Sequence, residues 1–141
     1  PETHQEAPSF EVDMKNLQRK VAAGADVVIT QLFYDNADFF RFRDECQKLG
    51  ITAPIIPGIL PVTNLGQIQR ITSLCKAKLP AEFIAKLGEK DSADWQFDVG
   101  VDFATRQVQE LIDSGIPGIH FYVLNKSPAT SAVLERVKHP A

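Results

Sequence analysis

Three apolar runs, each followed by a helical pattern, limit the folds open to this chain of 141 residues. The runs cover residues 26–34, 54–62 and 117–125 and read DVVITQLFY, PIIPGILPV and PGIHFYVLN. The first is rich in β-branched and aromatic residues without clean alternation, which is typical of a strand covered on both faces. Strands that alternate with helices predict right-handed βαβ units and a parallel sheet.

The spacing of apolar residues predicts a helix over 13–23, before the first run, that ends at Gly24. Its apolar stripe consists of Met14, Leu17 and Val21. After the first run, Asn36 is predicted to cap a helix that ends at Gly50. Asn64 is predicted to cap the helix that follows the second run.

Three further helices are predicted in the second half of the chain. A short helix covers residues 80–90, a long one runs from about 92 to 114, and a last one covers 127–138. Two architectures fit this order, namely an open doubly wound sheet and a (β/α)8 barrel. Three strands are too few for a closed barrel, which needs about 250 residues. We therefore predict a single domain over 1–141 that is either a small open sheet or part of a barrel.

Composition excludes several classes of partner. Lys and Arg number 15 against 18 Asp and Glu, the formal net charge is −3, and no basic block is present. We therefore expect neither nucleic acid nor a membrane surface as a partner. Cys46 and Cys75 lack the paired spacing of metal or redox motifs, and no signal or membrane span is visible, so we expect a reduced, cytoplasmic protein. The chain begins at Pro1 without a Met, as expected for a processed or truncated piece.

Polar or conformationally special residues follow each predicted strand. In both candidate architectures, ligands bind at the carboxyl ends of the strands. These positions are Gln31 and Asp35, then Gly58 and the 61–67 loop, then Asn125 and Lys126. The amide of Gln31 suits a planar heterocycle that alternates donors and acceptors, but it could equally satisfy loose backbone groups in the core.

Other polar residues have an ordinary interpretation from the pattern alone. Asp13, Asn16 and Lys20, with Arg19 beside them, form a sector opposite the apolar stripe of the first helix, as a solvated face does. Three histidines lie apart: His4 is exposed or binds phosphate or ribose, His120 is a hydrogen-bonded wall residue, and His139 is exposed. No metal-ligand spacing, nucleophile elbow, G-x-G-x-x-G or P-loop is present. These residues indicate a ligand-binding βα protein of undefined chemistry.

Three segments resemble, in order and spacing, the C-terminal half of methylenetetrahydrofolate reductase. They are residues 1–36, which contain PETH and ITQLFYD, then IIPGILPV, and then GIHFYVLN. The resemblance covers nearly the whole chain. It implies a (β/α)8 barrel of which this chain supplies the last three strands and their helices. It also implies reduction of 5,10-methylenetetrahydrofolate to 5-methyltetrahydrofolate, with FAD as cofactor and NADH or NADPH as co-substrate.

The resemblance also implies roles for individual residues. The FAD-binding positions are His4, Asp13, Asn16, Arg19 and Lys20. The folate-binding positions are Gln31, Gln67 and Lys126, where Lys126 replaces an Arg and faces the glutamate tail. Arg and Lys match the charge of a pyrophosphate, and Asp suits hydroxyl groups. Ile71 stands where some members of the family have an aromatic residue against the ligand.

The residues expected to carry catalysis are not in this chain. In the family, the catalytic acid and the aspartate near the flavin ring come from the N-terminal half of the barrel, so the isolated chain is expected to be inactive. We also expect a homo-oligomer. Two alternatives stay open: a non-catalytic folate- or nucleotide-binding α/β module, and a small open α/β protein whose resemblance is only ancestral.

Overall fold

The computed structural model describes Glu2 and residues 6–138. The elements in chain order are α1 (Phe10–Ala22), β1 (Val28–Leu32), α2 (Asn36–Lys48), β2 (Ile55–Ile59), α3 (Leu65–Cys75), α4 (Ala81–Leu87), α5 (Ala93–Asp113), β3 (His120–Phe121) and α6 (Pro128–Arg136). The three strands form one parallel sheet in the order β1, β2, β3. The predicted α/β class and parallel sheet are therefore confirmed. No helix in the described part of the chain is long and apolar enough to cross a membrane.

Polar side chains cap four of the helices. The side chains of Ser9, Asp35, Asn64 and Ser92 accept hydrogen bonds from backbone N–H groups in the first turns of α1, α2, α3 and α5. Such caps satisfy N–H groups that have no partner within the helix. The prediction that Asn64 caps α3 is confirmed. The prediction that Asn36 caps α2 is wrong, because the neighbouring Asp35 takes that position.

Asn36 instead connects the end of β1 to α5. Its side chain is buried, and Nδ2 donates to the carbonyl oxygen of Gln107 at 3.0 Å and to Oε2 of Glu110 at 2.6 Å. Gln107 in turn donates from Nε2 to the carbonyl oxygen of Phe33 at 3.0 Å. These bonds join residues more than 70 positions apart, so α5 holds the carboxyl end of β1 in place.

A β-bulge interrupts the pairing of β1 with β2. Ile29 lies opposite Ile56, but the next paired residues are Leu32 and Gly58, so β1 has one residue more than β2 between them. An extra residue shifts the side chains that follow it to the other face of the strand. In a regular strand, residues an odd number of positions apart point to opposite faces. Val28 and Phe33 are five positions apart, yet they belong to the same apolar cluster because of the bulge.

The core consists of two apolar clusters. The larger lies between the sheet and the helices α1, α2, α5 and α6, and its fully buried members include Phe33, Phe39, Cys46, Leu111 and Val133. The smaller lies around α3, α4 and the start of α5, and it includes Leu32, Tyr34, Ile71, Phe83 and Leu87. Cys46 is a core residue as predicted, and Cys75 is partly buried beside the smaller cluster.

The third strand is much shorter than its apolar run predicts. Only His120 and Phe121 pair with β2, and the backbone N–H of Tyr122 adds one bond to the carbonyl oxygen of Ile59 at 2.8 Å. Leu124 and Asn125 then adopt φ values of 47° and 62°, which no extended strand allows. A tight turn therefore occupies residues that the sequence assigns to the strand.

Candidate functional site

A cleft of about 330 Å³ lies between α1 and β1. Asp13 and Lys20 of α1 line it together with Gln31 of β1. Its apolar wall includes Met14, Leu17, Ile29 and Phe42. The cleft therefore brings a carboxylate, an ammonium group and an amide of the predicted set to one place.

The polar sector of α1 lies beside the apolar stripe rather than opposite it. Asp13 and Lys20 line the same cleft as Met14 and Leu17, because residues 13, 17 and 20 follow one another along a single helix face. Asn16 is half-buried and Arg19 is exposed, and neither lines the cleft. The predicted position opposite the apolar stripe is therefore wrong for Asp13 and Lys20, whereas Lys20 is exposed, as the predicted solvated face requires.

Gln31 serves the bulge and faces the cleft at the same time. Its Oε1 accepts from the backbone N–H of Leu32 at 3.0 Å, and its carbonyl oxygen accepts from Oγ1 of Thr30 at 2.9 Å. The side chain is exposed, and Nε2 has no hydrogen-bond partner among the described residues. The amide satisfies a loose backbone N–H, as one interpretation predicted, but it is exposed rather than in the core, and its role toward a planar ligand stays a prediction.

Gln67 repeats this arrangement in the first turn of α3. Its Oε1 accepts from the backbone N–H of Thr63 at 2.7 Å. The backbone N–H of Gln67 donates to Oδ1 of Asn64 at 3.0 Å. A backbone N–H is only a donor, so the atom facing it must be the amide oxygen. In Gln31 and Gln67 alike, the NH2 group is the part of the amide left for a ligand.

Lys126 lies on the turn that follows β3. The side chain is exposed, and its backbone N–H donates to the carbonyl oxygen of Val123 at 2.7 Å. Leu124 and Asn125, with positive φ, form the preceding part of this turn. Asn adopts this left-handed conformation readily, whereas at Leu124 it costs about 1–2 kcal/mol. Neither Gln67 nor Lys126 lines the cleft between α1 and β1.

Other sequence predictions have mixed outcomes. His4 and His139 lie outside the described residues. His120 is half-buried and packs edge-on against the ring of Tyr122, with ring centroids 4.6 Å apart. Ile71 is buried in the smaller apolar cluster, and Cys75 lines the cleft. Within the described ranges, no three His, Cys, Asp or Glu side chains are grouped so that they could hold a metal ion.

Two residues near the site have a structural role that the sequence does not assign to them. Thr30 accepts from the backbone N–H of Gly58 through Oγ1 at 3.0 Å, and Tyr122 donates from its hydroxyl group to the carbonyl oxygen of Thr30 at 3.0 Å. The only sequence signal for Thr30 is a hydroxyl group within an apolar run. Nothing in the sequence indicates the contact of Tyr122, since 92 residues separate the two positions.

A larger cavity of about 1080 Å³ lies away from these residues, beside α4 and α5. Acidic side chains dominate its charged lining, which includes Glu82, Asp98, Asp102 and Glu110 against Lys86 and Arg106. Asp35, one of the predicted strand-end positions, lines this cavity, but none of the FAD- or folate-binding positions in the described part of the chain does. The cleft between α1 and β1 is therefore the better candidate despite its smaller volume.

Comparison with known proteins identifies the family. A family model described as methylenetetrahydrofolate reductase matches residues 1–138. The 5,10-methylenetetrahydrofolate reductase of Escherichia coli K12 is 41% identical over 135 residues, which cover 94% of this chain and 45% of the bacterial protein. Methylenetetrahydrofolate reductase (NADH) 1 of Arabidopsis thaliana is 39% identical over 127 residues, which cover 89% of this chain and 22% of the plant protein. The chain thus spans less than half the length of these relatives, and it belongs to the methylenetetrahydrofolate reductase family.

Proposed function

We propose that the full-length protein carrying this chain reduces 5,10-methylenetetrahydrofolate to 5-methyltetrahydrofolate with FAD and NADH or NADPH. Membership of the family supports the folate reaction. The observation that carries the assignment to this chain is the cleft, which gathers Asp13, Lys20 and Gln31 along β1, with Gln31 one residue from the carboxyl end of that strand. Ligands of parallel α/β proteins bind at that end of the sheet. In this proposal the three strands are the last three of a (β/α)8 barrel.

The donor set of the cleft fits part of a flavin nucleotide. The ammonium group of Lys20 suits a phosphate, and the carboxylate of Asp13 suits ribityl or ribose hydroxyl groups. Asn16 and Arg19 lie on the same helix, where they can extend these contacts beyond the cleft. A volume of about 330 Å³ is at the lower end of the range for small-molecule sites, so this chain holds one portion of FAD. Held in part by Lys20 and Asp13, FAD would supply the chemistry of hydride transfer between the nicotinamide and the folate.

Gln31 and Gln67 are proposed to bind the folate through their NH2 groups. Each amide oxygen is occupied by a backbone N–H of its own loop, which leaves two N–H donors on each side chain. Donors of this kind match the carbonyl oxygen and ring nitrogens of a pterin. The ammonium group of Lys126 offers a point charge to the carboxylates of the glutamate tail.

No catalytic acid is assigned to this chain, which acts in binding and orientation. The proposal includes a cytoplasmic homo-oligomer. The alternative is a non-catalytic folate- or nucleotide-binding module with the same cleft. The two functions differ in one measurement, which is whether the full-length protein oxidises NADH or NADPH in the presence of methylenetetrahydrofolate.

Flavin retention by the full-length protein tests the role of α1. Lys20→Ala is expected to weaken FAD binding by about 1.5–3 kcal/mol, the usual range for a hydrogen bond to a charged group. Lys15→Ala is the matched control, because Lys15 lies on the same helix, is largely exposed and pairs with Glu11. FAD affinity would be measured by fluorescence titration of the apoprotein. Unchanged affinity in Lys20→Ala together with a lower melting temperature would assign this face a purely structural role.

A further inference from the structure

The side chain of Tyr122 crosses the middle strand of the sheet. Its backbone N–H bonds the carbonyl oxygen of Ile59 at the end of β2. Its hydroxyl group donates to the carbonyl oxygen of Thr30 on β1, at 3.0 Å. One tyrosine therefore joins the segment after β3 to the bulge of β1, with β2 between them.

Gly58 provides the space for this crossing. A Cβ atom at Gly58 would lie 2.7 Å from Cε2 of Tyr122 and would overlap the carbonyl oxygen of Thr30. Cβ atoms essentially never approach so closely, so any larger residue would displace the tyrosine or the strand. Glycine is needed here for close approach of the neighbouring groups.

Both the hydroxyl group and the carbonyl oxygen of Thr30 form hydrogen bonds beside Gly58. Its Oγ1 accepts from the backbone N–H of Gly58 at 3.0 Å and donates to the carbonyl oxygen of Gln31 at 2.9 Å. Its own carbonyl oxygen receives the hydroxyl group of Tyr122. The Tyr122 hydroxyl group is protonated at neutral pH, as that of tyrosine normally is, and burial raises its pKa further. We call Thr30, Gly58 and Tyr122 the bulge latch.

We propose that Tyr122 is a positioning residue that fixes the β1 bulge and thereby directs the amide of Gln31 toward the folate. A bulge that moves by one residue turns the following side chains to the opposite face. The bond from Tyr122 fixes the carbonyl group immediately before Gln31, and so it opposes such a shift. Tyr122 acts through Thr30, and this role rests on the proposed function of Gln31.

The test uses Tyr122→Phe in the full-length protein, with the oxidative and reductive half-reactions followed separately by stopped flow. Removing one neutral hydrogen bond is expected to raise the apparent Kd for methylenetetrahydrofolate about three- to tenfold. Reduction of the flavin by NADH or NADPH is expected to change less than about twofold, because the proposal assigns the amide of Gln31 to the folate and not to the nicotinamide.

Tyr34→Phe is the matched control. Tyr34 is buried and also donates from its hydroxyl group to a backbone carbonyl oxygen, that of Leu60 at 3.2 Å, but it has no hydrogen bond to a residue of the bulge latch among the described residues. Both variants are expected to lower the melting temperature by similar amounts, and only Tyr122→Phe to weaken folate binding. Equal folate affinity in the two variants would overturn the proposal.

A double variant separates the proposal from the function on which it rests. In a Gln31→Ala background, Tyr122→Phe is expected to change the Kd for folate less than twofold, because the group being positioned is gone. A full additional loss in the double variant would show that Tyr122 acts elsewhere, which overturns the proposal. If Gln31→Ala itself binds folate like the wild type, the proposed function of Gln31 fails. If Gln31→Ala binds weakly while Tyr122→Phe matches Tyr34→Phe, only the positioning role fails.

Discussion

Gly100→Ala tests how closely α5 must approach the loop between β2 and α3, which holds the side chain of Gln67. Gly100 is buried in the middle of α5, and an added Cβ atom would overlap the carbonyl oxygen of Val62 and lie 2.8 Å from its carbonyl carbon. Alanine in a helix interior gains about 1 kcal/mol over glycine. Overpacking against rigid backbone costs about 3 kcal/mol, at the upper end of the usual range. The expected net loss is about 2 kcal/mol.

The assay is thermal unfolding of the full-length protein, followed by circular dichroism. A loss of about 2 kcal/mol corresponds to a decrease in Tm of about 4–8 °C for a domain of 150–250 residues. Gly88→Ala is the control, since Gly88 has φ of −80° and an added Cβ atom would make only ordinary contacts at 3.6 Å. That variant is expected to be neutral or stabilised by about 0.4–1 kcal/mol. A Tm for Gly100→Ala equal to or above that of the wild type would show that the contact of α5 with Val62 is not as close as the structure has it.

The same substitution has a functional consequence. The Cβ atom of residue 100 would also lie 3.1 Å from Cα of Thr63, whose backbone N–H holds the amide oxygen of Gln67. Displacement of Thr63 would release this amide. Folate affinity is therefore expected to fall with Tm in Gly100→Ala and to be preserved in Gly88→Ala.

Three further outcomes are expected. Asp35→Ala, which removes the cap of α2, should cost about 1 kcal/mol of unfolding free energy in chemical denaturation, whereas Asp44→Ala on the exposed face of the same helix should cost less than about 0.5 kcal/mol. Burial raises the pKa of the Cys46 thiol to about 11, so the folded state keeps a proton that the unfolded state loses above pH 9. The free energy of unfolding should therefore fall between pH 9 and pH 11, and it should fall less in Cys46→Ala. Measurement of Tm as a function of pH checks this. The isolated chain of 141 residues should not retain FAD after gel filtration, and a bound flavin spectrum at one equivalent would contradict the shared-site proposal.

Local sequence signals were sufficient for most helix ends. Asn64 is followed by an apolar helical pattern, and its side chain caps α3 as predicted. Gly24 and Gly50 adopt φ values of 113° and 71° after the helices that they were expected to end. These features depend on residues within one or two turns of each other, so a linear pattern contains the necessary information.

The choice between Asp35 and Asn36 at the start of α2 depends on distant residues. Both side chains are good helix caps, and they are adjacent in the sequence. Asn36 is withdrawn from that role because Gln107 and Glu110 of α5 accept its N–H groups. No local pattern could show which of the two residues would be buried.

The bulge and the short third strand were likewise beyond local reasoning. Register is a property of two strands, and the apolar run of β1 does not show that one residue is left unpaired before Leu32. Leu124 has a positive φ, which a bulky side chain rarely adopts, so the apolar run predicts a strand at this position instead of a turn. The position of Gln31 at a strand end is enough to make it a candidate. Only the structure shows that its amide oxygen binds the N–H of Leu32 while the side chain lines the cleft.

The most direct test of the account is Gln31→Glu in the full-length protein, with the two half-reactions measured separately by stopped flow. A carboxylate keeps an acceptor for the backbone N–H of Leu32, so the bulge should persist, while the outward donors are replaced by a charged acceptor. We expect the apparent Kd for methylenetetrahydrofolate to rise about tenfold or more, at 1.4 kcal/mol per decade. Flavin reduction by the nicotinamide should change less. Gln47→Glu, the same change at an exposed position of α2, should leave both half-reactions unaltered. Reoxidation of the Gln31→Glu flavin by folate at the wild-type rate and affinity would contradict the account and leave Gln31 as a residue that serves only the bulge.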